Sequence, residues 1–223
     1  TISPKIQKAG GEVFTYALVK QILLEGQKVT GVEMADGYKI ACDCVISSAG
    51  IDNTFSRLLP AKSVSNAGYP LLLKQVKPSM AHLGIYIGLM ETAEQLGLPK
   101  TNFWIYPDND FDAAVDGFMG DSTASFPVVY ISFPSAKDPD YERRHPGTAT
   151  IEIVAPAPFE WFEKWQGTPW GKRGDDYDAF KAQLGERLMQ HLYEKLPQLK
   201  GKVDYYEVST PLSTDHFCAY RYG

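Results

Sequence analysis

The chain has 223 residues, with 22 Lys and Arg against 27 Asp and Glu, a formal net charge of −5 and a pI near 5.4. That balance excludes the concentrated basic field of a nucleic-acid surface, and no apolar run approaches the roughly 20 residues of a membrane helix. Hydrophobic residues make up 44% and charged residues 22%, which allows one large core or two small ones.

The chain opens on Thr-Ile-Ser-Pro, without a Met and without the shape of a signal peptide, and reads as an internal piece of a longer protein. A short helix or turn is expected near 11–17 and a strand near 18–23. Val29–Met34 and Tyr38–Ala41 are β-rich arms around Ala-Asp-Gly, which predicts a hairpin. "VISSAG", 45–50, follows directly and reads as a buried strand that ends in four small residues. "NTFSRLLP" predicts a short helix stopped by Pro60, and 61–81 predicts an irregular connection.

"HLGIYIGLM", 82–90, alternates: Leu83, Ile85, Ile87 and Leu89 fall on one face, Gly84, Tyr86, Gly88 and Met90 on the other. Further strands are expected near 101–107, 127–134, 148–156 and 202–210. Between the first two, the acidic and glycine-broken stretch 107–126 predicts a surface helix or a lid. "PFEWFEKWQ", 158–166, predicts a short aromatic helix. Across 175–197, Tyr177, Phe180, Leu184, Leu188, Leu192 and Leu196 recur at helical steps, with Asp175 and Asp176 at the start and Pro197 at the stop. A meander of strands with helices between is an α+β layer arrangement.

The three cysteines, Cys42, Cys44 and Cys218, suit a reducing compartment and are expected as buried structural thiols. The four histidines are scattered, and no metal motif is present. A cytoplasmic location is expected, with membrane association as the alternative. Phe159, Trp161, Phe162 and Trp165 have two readings, core packing or an apolar lip making a peripheral membrane contact. Asp215 and His216, adjacent in sequence, form no dyad on a strand.

The small residues of "VISSAG" fit a tight strand exit, or a backbone that must approach a phosphate or a flat ring. The wider stretch "GGEVFTYALVKQILLEGQKVTGVEMADGYKIACDCVISSAG" resembles the second half of the FAD-binding domain in the phytoene desaturase and amine oxidase superfamily. "NFWIYPDNDFDAA", "FPSAKDPDYERRHPG", "EWFEKWQGTPWGKRGDDYDAFK" and "STPLSTDHF" are similar to its retinol saturase branch, and the resemblance covers most of the chain.

That resemblance implies an FAD-dependent oxidoreductase acting on CH–CH groups, which reduces one C=C bond of an apolar polyene, a retinoid or a carotenoid. It also implies a fold made of part of a glutathione-reductase-like FAD domain (1–62 and a return segment, 207–223) and a substrate domain (63–206) with a mainly antiparallel sheet and helices. Carotenoid isomerases and phytoene desaturases share the scaffold, and a flavin-free apolar-ligand binder or interaction module is the remaining alternative. Val19 matches a valine that offers its backbone N–H and C=O to adenine; the other reading is an ordinary strand valine. Ser47, Ser48, Ala49 and Gly50 become a rim on the cofactor side. Gly84 and Gly88 leave a slot lined by Tyr86, with Phe103 and Tyr130 on neighbouring strands, or else pack closely. The family's G-x-G-x-x-G loop, which binds the pyrophosphate, matches none of the 19 glycines, so this piece alone is expected to hold FAD weakly.

Overall fold

The computed structural model describes residues 2–65, 74–75 and 79–223. Contacts divide the chain into two units, Thr1–Lys77 and Pro78–Gly223. The expected boundary at residue 62 lies inside the first unit, and 207–223 belongs with the second.

In the first unit, strands β1 (Val19–Glu25), β2 (Lys28–Met34) and β3 (Lys39–Ala41) form an antiparallel sheet in the order β1-β2-β3. The predicted hairpin is present: Gly37 takes φ +88°, and Asp36 Oδ1 accepts from Tyr38 N at 2.9 Å. Gly31 is required where β2 meets β3, since a Cβ there would lie 2.3 Å from the Ile40 carbonyl oxygen. Helix α1 (Ser3–Lys8) precedes the sheet, α2 (Ile51–Asn53) runs into a π-helical turn at Thr54–Leu58, and α3 (Ala61–Ser65) follows. Residues 66–73 and 76–78 of the expected irregular connection lie outside the described residues.

Two expectations for this unit need correction. Residues 45–49 form no strand, and Ile46 is 93% exposed. β3 ends at Ala41 and no described strand lies beside the segment, which leaves Val45 half-buried and Ile46 in solvent. For the same reason Cys42 is only half-buried and Cys44 is exposed, while Cys218 is exposed near the C-terminus; all three thiols are free.

The second unit is built on an antiparallel sheet in the order β5-β6-β7-β4-β8, from β4 (Ala81–Leu89), β5 (Phe103–Ile105), β6 (Val129–Ser132), β7 (Ala149–Ala157) and β8 (Val203–Ser209). The alternation read in the sequence decides its faces. Leu83, Ile85, Ile87 and Leu89 of β4 are buried, as are Ala149, Ile151, Ile153, Ala155 and Ala157 of β7. These residues share one core with Tyr177, Leu184, Leu188, Met189 and Leu192 of a 21-residue helix, α7 (Asp175–Lys195). Removing so many Leu and Ile side chains from water, at about 1.5–3 kcal/mol each, holds helix to sheet.

Helices α4 (Phe111–Gly120), α5 (Pro134–Lys137), α6 (Tyr141–Arg144) and α8 (Pro211–Cys218) occupy the connections and the end of the chain. The aromatic segment Phe159–Trp165 is a 3-10 helix that buries Phe159, Phe162 and Trp165, and Trp161 packs edge-on to Phe118 at 4.7 Å. These side chains are core, which removes the apolar lip. No described helix is long and apolar enough to cross a membrane.

Candidate functional site

Each unit carries a separate feature of interest. In the first, β1 is one of the two edge strands. Leu18 O accepts from Ala35 N at 2.9 Å, which closes the start of the β1–β2 ladder. The outer edge of β1, where Val19 lies, has no strand beside it among the described residues. An open edge presents N–H and C=O groups that must find partners elsewhere, and adenine's edge, one donor beside one acceptor, has matching chemistry. Beside it lies a shallow apolar groove of about 380 Å³ between Phe14, Leu18, Met34, Tyr38 and Ile40.

The four small residues prove to be a helix entry. Gly50 takes φ +88° as the residue before α2, a conformation that glycine alone adopts without strain. The turn is then tied down. Thr54 Oγ1 donates to Gly50 O at 2.7 Å, Asn53 Nδ2 donates to Ala49 O at 2.9 Å, and Ser47 Oγ lies 2.7 Å from Thr54 Oγ1. Ser47, Ser48 and Ala49 are exposed. The open edge of β1 and a small, exposed rim fit the nucleotide end of FAD in chemistry, while the Gly50 conformation is explained by the turn itself.

The second unit has one sheet face packed against α7 and an opposite face that is partly open, where Trp104 and Tyr86 are exposed while Gly84 and Ser132 are buried. Cross-strand pairs Trp104↔Tyr130, Tyr130↔Val154, Val154↔Gly84 and Gly84↔Ser209 place five residues in one row over all five strands. Trp104 is 62% exposed and its ring lies 4.8 Å from that of Tyr130. The next row is polar: Ser132, Glu152, Tyr86 and Glu207. Beyond it, Thr150, Gly88 and Tyr205 are paired.

Gly84, Tyr86 and Gly88 therefore share a face with Tyr130, as expected, but the two glycines differ. The Tyr86 ring folds back over Gly84, so that a Cβ on Gly84 would lie 3.2 Å from Tyr86 Oη and 3.4 Å from Cζ. Gly84 is a seat for the ring, whereas a Cβ on Gly88 would meet only the Tyr205 carbonyl oxygen, at 3.9 Å. Phe103 points the other way. It pairs with core residue Ile131 and meets Phe133 edge-on at 5.3 Å. One residue along the strand reverses the face, and Trp104 takes the place that Phe103 was expected to hold.

Tyr86 also lines a cavity of about 390 Å³ with His82, Trp170, Glu207, Phe217 and Cys218. Burial first, then the negative charge of Glu152, pushes the Tyr86 phenol above its ordinary value of 10.0. At the mouth, the Trp170 and His216 rings stack, 9° from parallel with centroids 5.8 Å apart. Asp215 and His216 are consecutive residues of α8 and form no dyad. Trp104 and Trp170 were missed as site residues. Strand parity would have found Trp104 once Tyr130 was placed, but nothing local marks Trp170.

No protein-family profile matches the chain. Human all-trans-retinol 13,14-reductase is 37% identical over 224 residues, which cover 97% of this chain and 37% of that protein. The chloroplastic prolycopene isomerase of Arabidopsis thaliana is 28% identical over 211 residues, 94% of this chain and 32% of that protein. The crystal structure of an oxidoreductase from Methanosarcina mazei superposes with a TM-score of 0.55 over 91% of this chain and 39% of that chain; at 18% identity this bears on the fold alone. The chain thus spans little more than a third of the length of the curated relatives it matches. With 37% identity sustained over nearly all its residues, the chain belongs to the all-trans-retinol 13,14-reductase family, with weaker ties to the phytoene desaturase and carotenoid isomerase branch.

Proposed function

We propose that the chain is part of an FAD-dependent oxidoreductase that reduces one C=C bond of a conjugated polyene, and that its second unit supplies the polyene's bed. The observation that carries this is the row Trp104, Tyr130 and Val154 on neighbouring strands of one sheet face, Trp104 exposed and the other two half-buried, in a chain of this family. A polyene is flat, apolar and extended. Five strands spaced about 4.8 Å apart give a row roughly 19 Å across, long enough for a conjugated chain to lie along aromatic rings. Burying those rings and the polyene together removes apolar surface from water and excludes water from the reacting bond.

The first unit's part is to hold the cofactor, with the open edge at Val19 toward adenine and the rim Ser47, Ser48, Ala49 and Gly50 close to the nucleotide. When bound and reduced, FAD supplies the hydride. The location is proposed to be cytoplasmic, with membrane association as the alternative.

The test uses the full-length protein, reduced anaerobically and mixed with all-trans-retinol or with carotenes. A product two mass units heavier supports the reading. A product of unchanged mass with a shifted spectrum points instead to isomerisation, the activity named for the Arabidopsis relative. A full-length protein that purifies without flavin absorbance and takes none up overturns the oxidoreductase reading in favour of an apolar-ligand binder. Trp104→Ala is expected to weaken polyene binding about tenfold, the loss of one well-packed aromatic contact.

A further inference from the structure

We propose that Tyr86 is the proton donor of the reduction. The inference rests on the polyene-reductase reading above and deepens it. Adding two hydrogens across a C=C bond takes a hydride at one carbon and a proton at its neighbour. In that reading the hydride comes from reduced FAD, which ends oxidised. The π electron pair then forms the new C–H bond with the Tyr86 proton, and the phenolate left behind is reprotonated from solvent.

The geometry points to this side chain for three reasons. Tyr86 starts in the polar row between Glu152 and Glu207, yet its ring folds back over Gly84 and carries Oη to the neighbouring row, at Gly84, whose cross-strand partner is Val154. A hydroxyl is thereby delivered to the place where an extended polyene would lie. That hydroxyl makes no hydrogen bond to any described residue, and Tyr86 is 50% exposed, so its proton is available. Finally, the ring borders a cavity of about 390 Å³, so there is space in front of it.

Titratable groups face Tyr86 from β4, β7, β8 and α8. Glu152 is its neighbour on β7 and Glu207 on β8, with Tyr205 beyond; His82 lies on β4 and Cys218 on α8. Burial and the negative charge of Glu152 both oppose ionisation. An acid that stays protonated through neutral pH is what protonation of a carbon requires.

The experiment follows the oxidative half-reaction of the full-length, FAD-loaded protein, reduced anaerobically and mixed with all-trans-retinol in a stopped-flow instrument. Tyr86→Phe is expected to slow flavin reoxidation by retinol about 10²–10⁴-fold, with flavin content and retinol binding unchanged. In D₂O, the wild-type product carries deuterium on one face of the protonated carbon, whereas the Tyr86→Phe product carries it on both. The wild-type rate falls above pH 10, and this fall is absent in Tyr86→Phe. His82→Gln, which removes the other protonatable ring of the cavity, keeps the wild-type stereochemistry. Should Tyr86→Phe fail to fold, Gly84→Ala forces the phenol to give by a few tenths of an ångström and is expected to slow the same step about tenfold.

Wild-type rate and one-faced deuteration in Tyr86→Phe would overturn the proposal and leave the reductase reading standing. A wild-type protein that holds flavin but leaves the masses of retinol and carotenes unchanged overturns the reductase reading, and the proton donor with it.

Discussion

Gly185 of α7 lies against Val208 of β8, so closely that a Cβ on the glycine would stand 2.7 Å from Val208 Cγ2. The contact explains a glycine in the middle of a long helix, where it costs about 1 kcal/mol relative to alanine. It also sets how low the helix rides on the covered sheet face, opposite the face that carries Tyr86. Gly185→Ala gains that propensity but overpacks the contact by about 1–3 kcal/mol. A net loss of about 1 kcal/mol is expected in urea unfolding, and a stabilised variant would show that the helix lifts freely.

Tyr177 and Thr210 make the second tie between α7 and the end of the sheet. Their side-chain oxygens are 2.8 Å apart in a buried setting. Thr210 is also the N-cap of α8, and its side chain accepts from the backbone there while its own N–H donates to Ser213 Oγ at 3.2 Å. Tyr177→Phe leaves Thr210 with its cap and is expected to lose about 1 kcal/mol. Thr210→Val removes the cap and strands the Tyr177 hydroxyl, so about 2–3 kcal/mol is expected. Equal losses in the two variants would contradict this order.

Asp176 ties the aromatic 3-10 segment to α7. Its Oδ2 accepts from Lys164 Nζ at 3.0 Å and from Trp165 Nε1 at 3.1 Å. The Lys164 hydrogen bond first, then that of Trp165, holds the carboxyl below its ordinary value of 3.8. A depressed carboxyl contributes stability above the unfolded value and loses it as pH falls through the folded one. The Trp165 emission is therefore expected to shift in a step centred below pH 3.8, and Asp176→Asn abolishes the step. A step centred above 3.8 would reverse the sign.

Alternation made most of the second unit legible. Leu83 to Leu89 and Ile151 to Ala155 announce a two-faced sheet, and their burial follows. Faces were harder to read in a strand as short as Phe103–Ile105, where three residues carry no period. There the aromatic pair Phe103 and Trp104 could be sorted only by knowing which one opposes Ile131. The small residues at 47–50 were hard to read for a different reason. A strand end and a helix entry can carry the same small letters in a sequence, and the φ of Gly50 with its hydrogen bonds shows the helix entry. α1 went unread because "SPKIQK" buries no residue and so shows no apolar period.

Arg187 fastens the acidic excursion after α4 to α7. Its Nη1 donates to Ser122 O and its Nη2 to Ala124 O, and its guanidinium lies 4.7 Å from the Phe126 ring centroid. One planar fork thus satisfies two backbone carbonyls, which a lysine ammonium cannot match. The stretch from Asp121 to Phe126 is a pinned end, so any opening of 107–126 must pivot before it or break both bonds. Partial burial pulls the guanidinium below its ordinary value, with Asp121 opposing, and an arginine stays charged at neutral pH. Hydrogen bonds from a charged donor contribute about 1.5–3 kcal/mol, and Arg187→Met, which keeps the apolar stem, is expected to release local opening by about 2 kcal/mol. That corresponds to roughly 30-fold faster proteolysis between 121 and 126 when opening is rapid relative to cleavage. Arg187→Lys should fall between the two. Cleavage at the wild-type rate in Arg187→Met would mean that Phe118 and Phe126, whose rings meet at 5.4 Å in the core, hold the segment without help from the arginine.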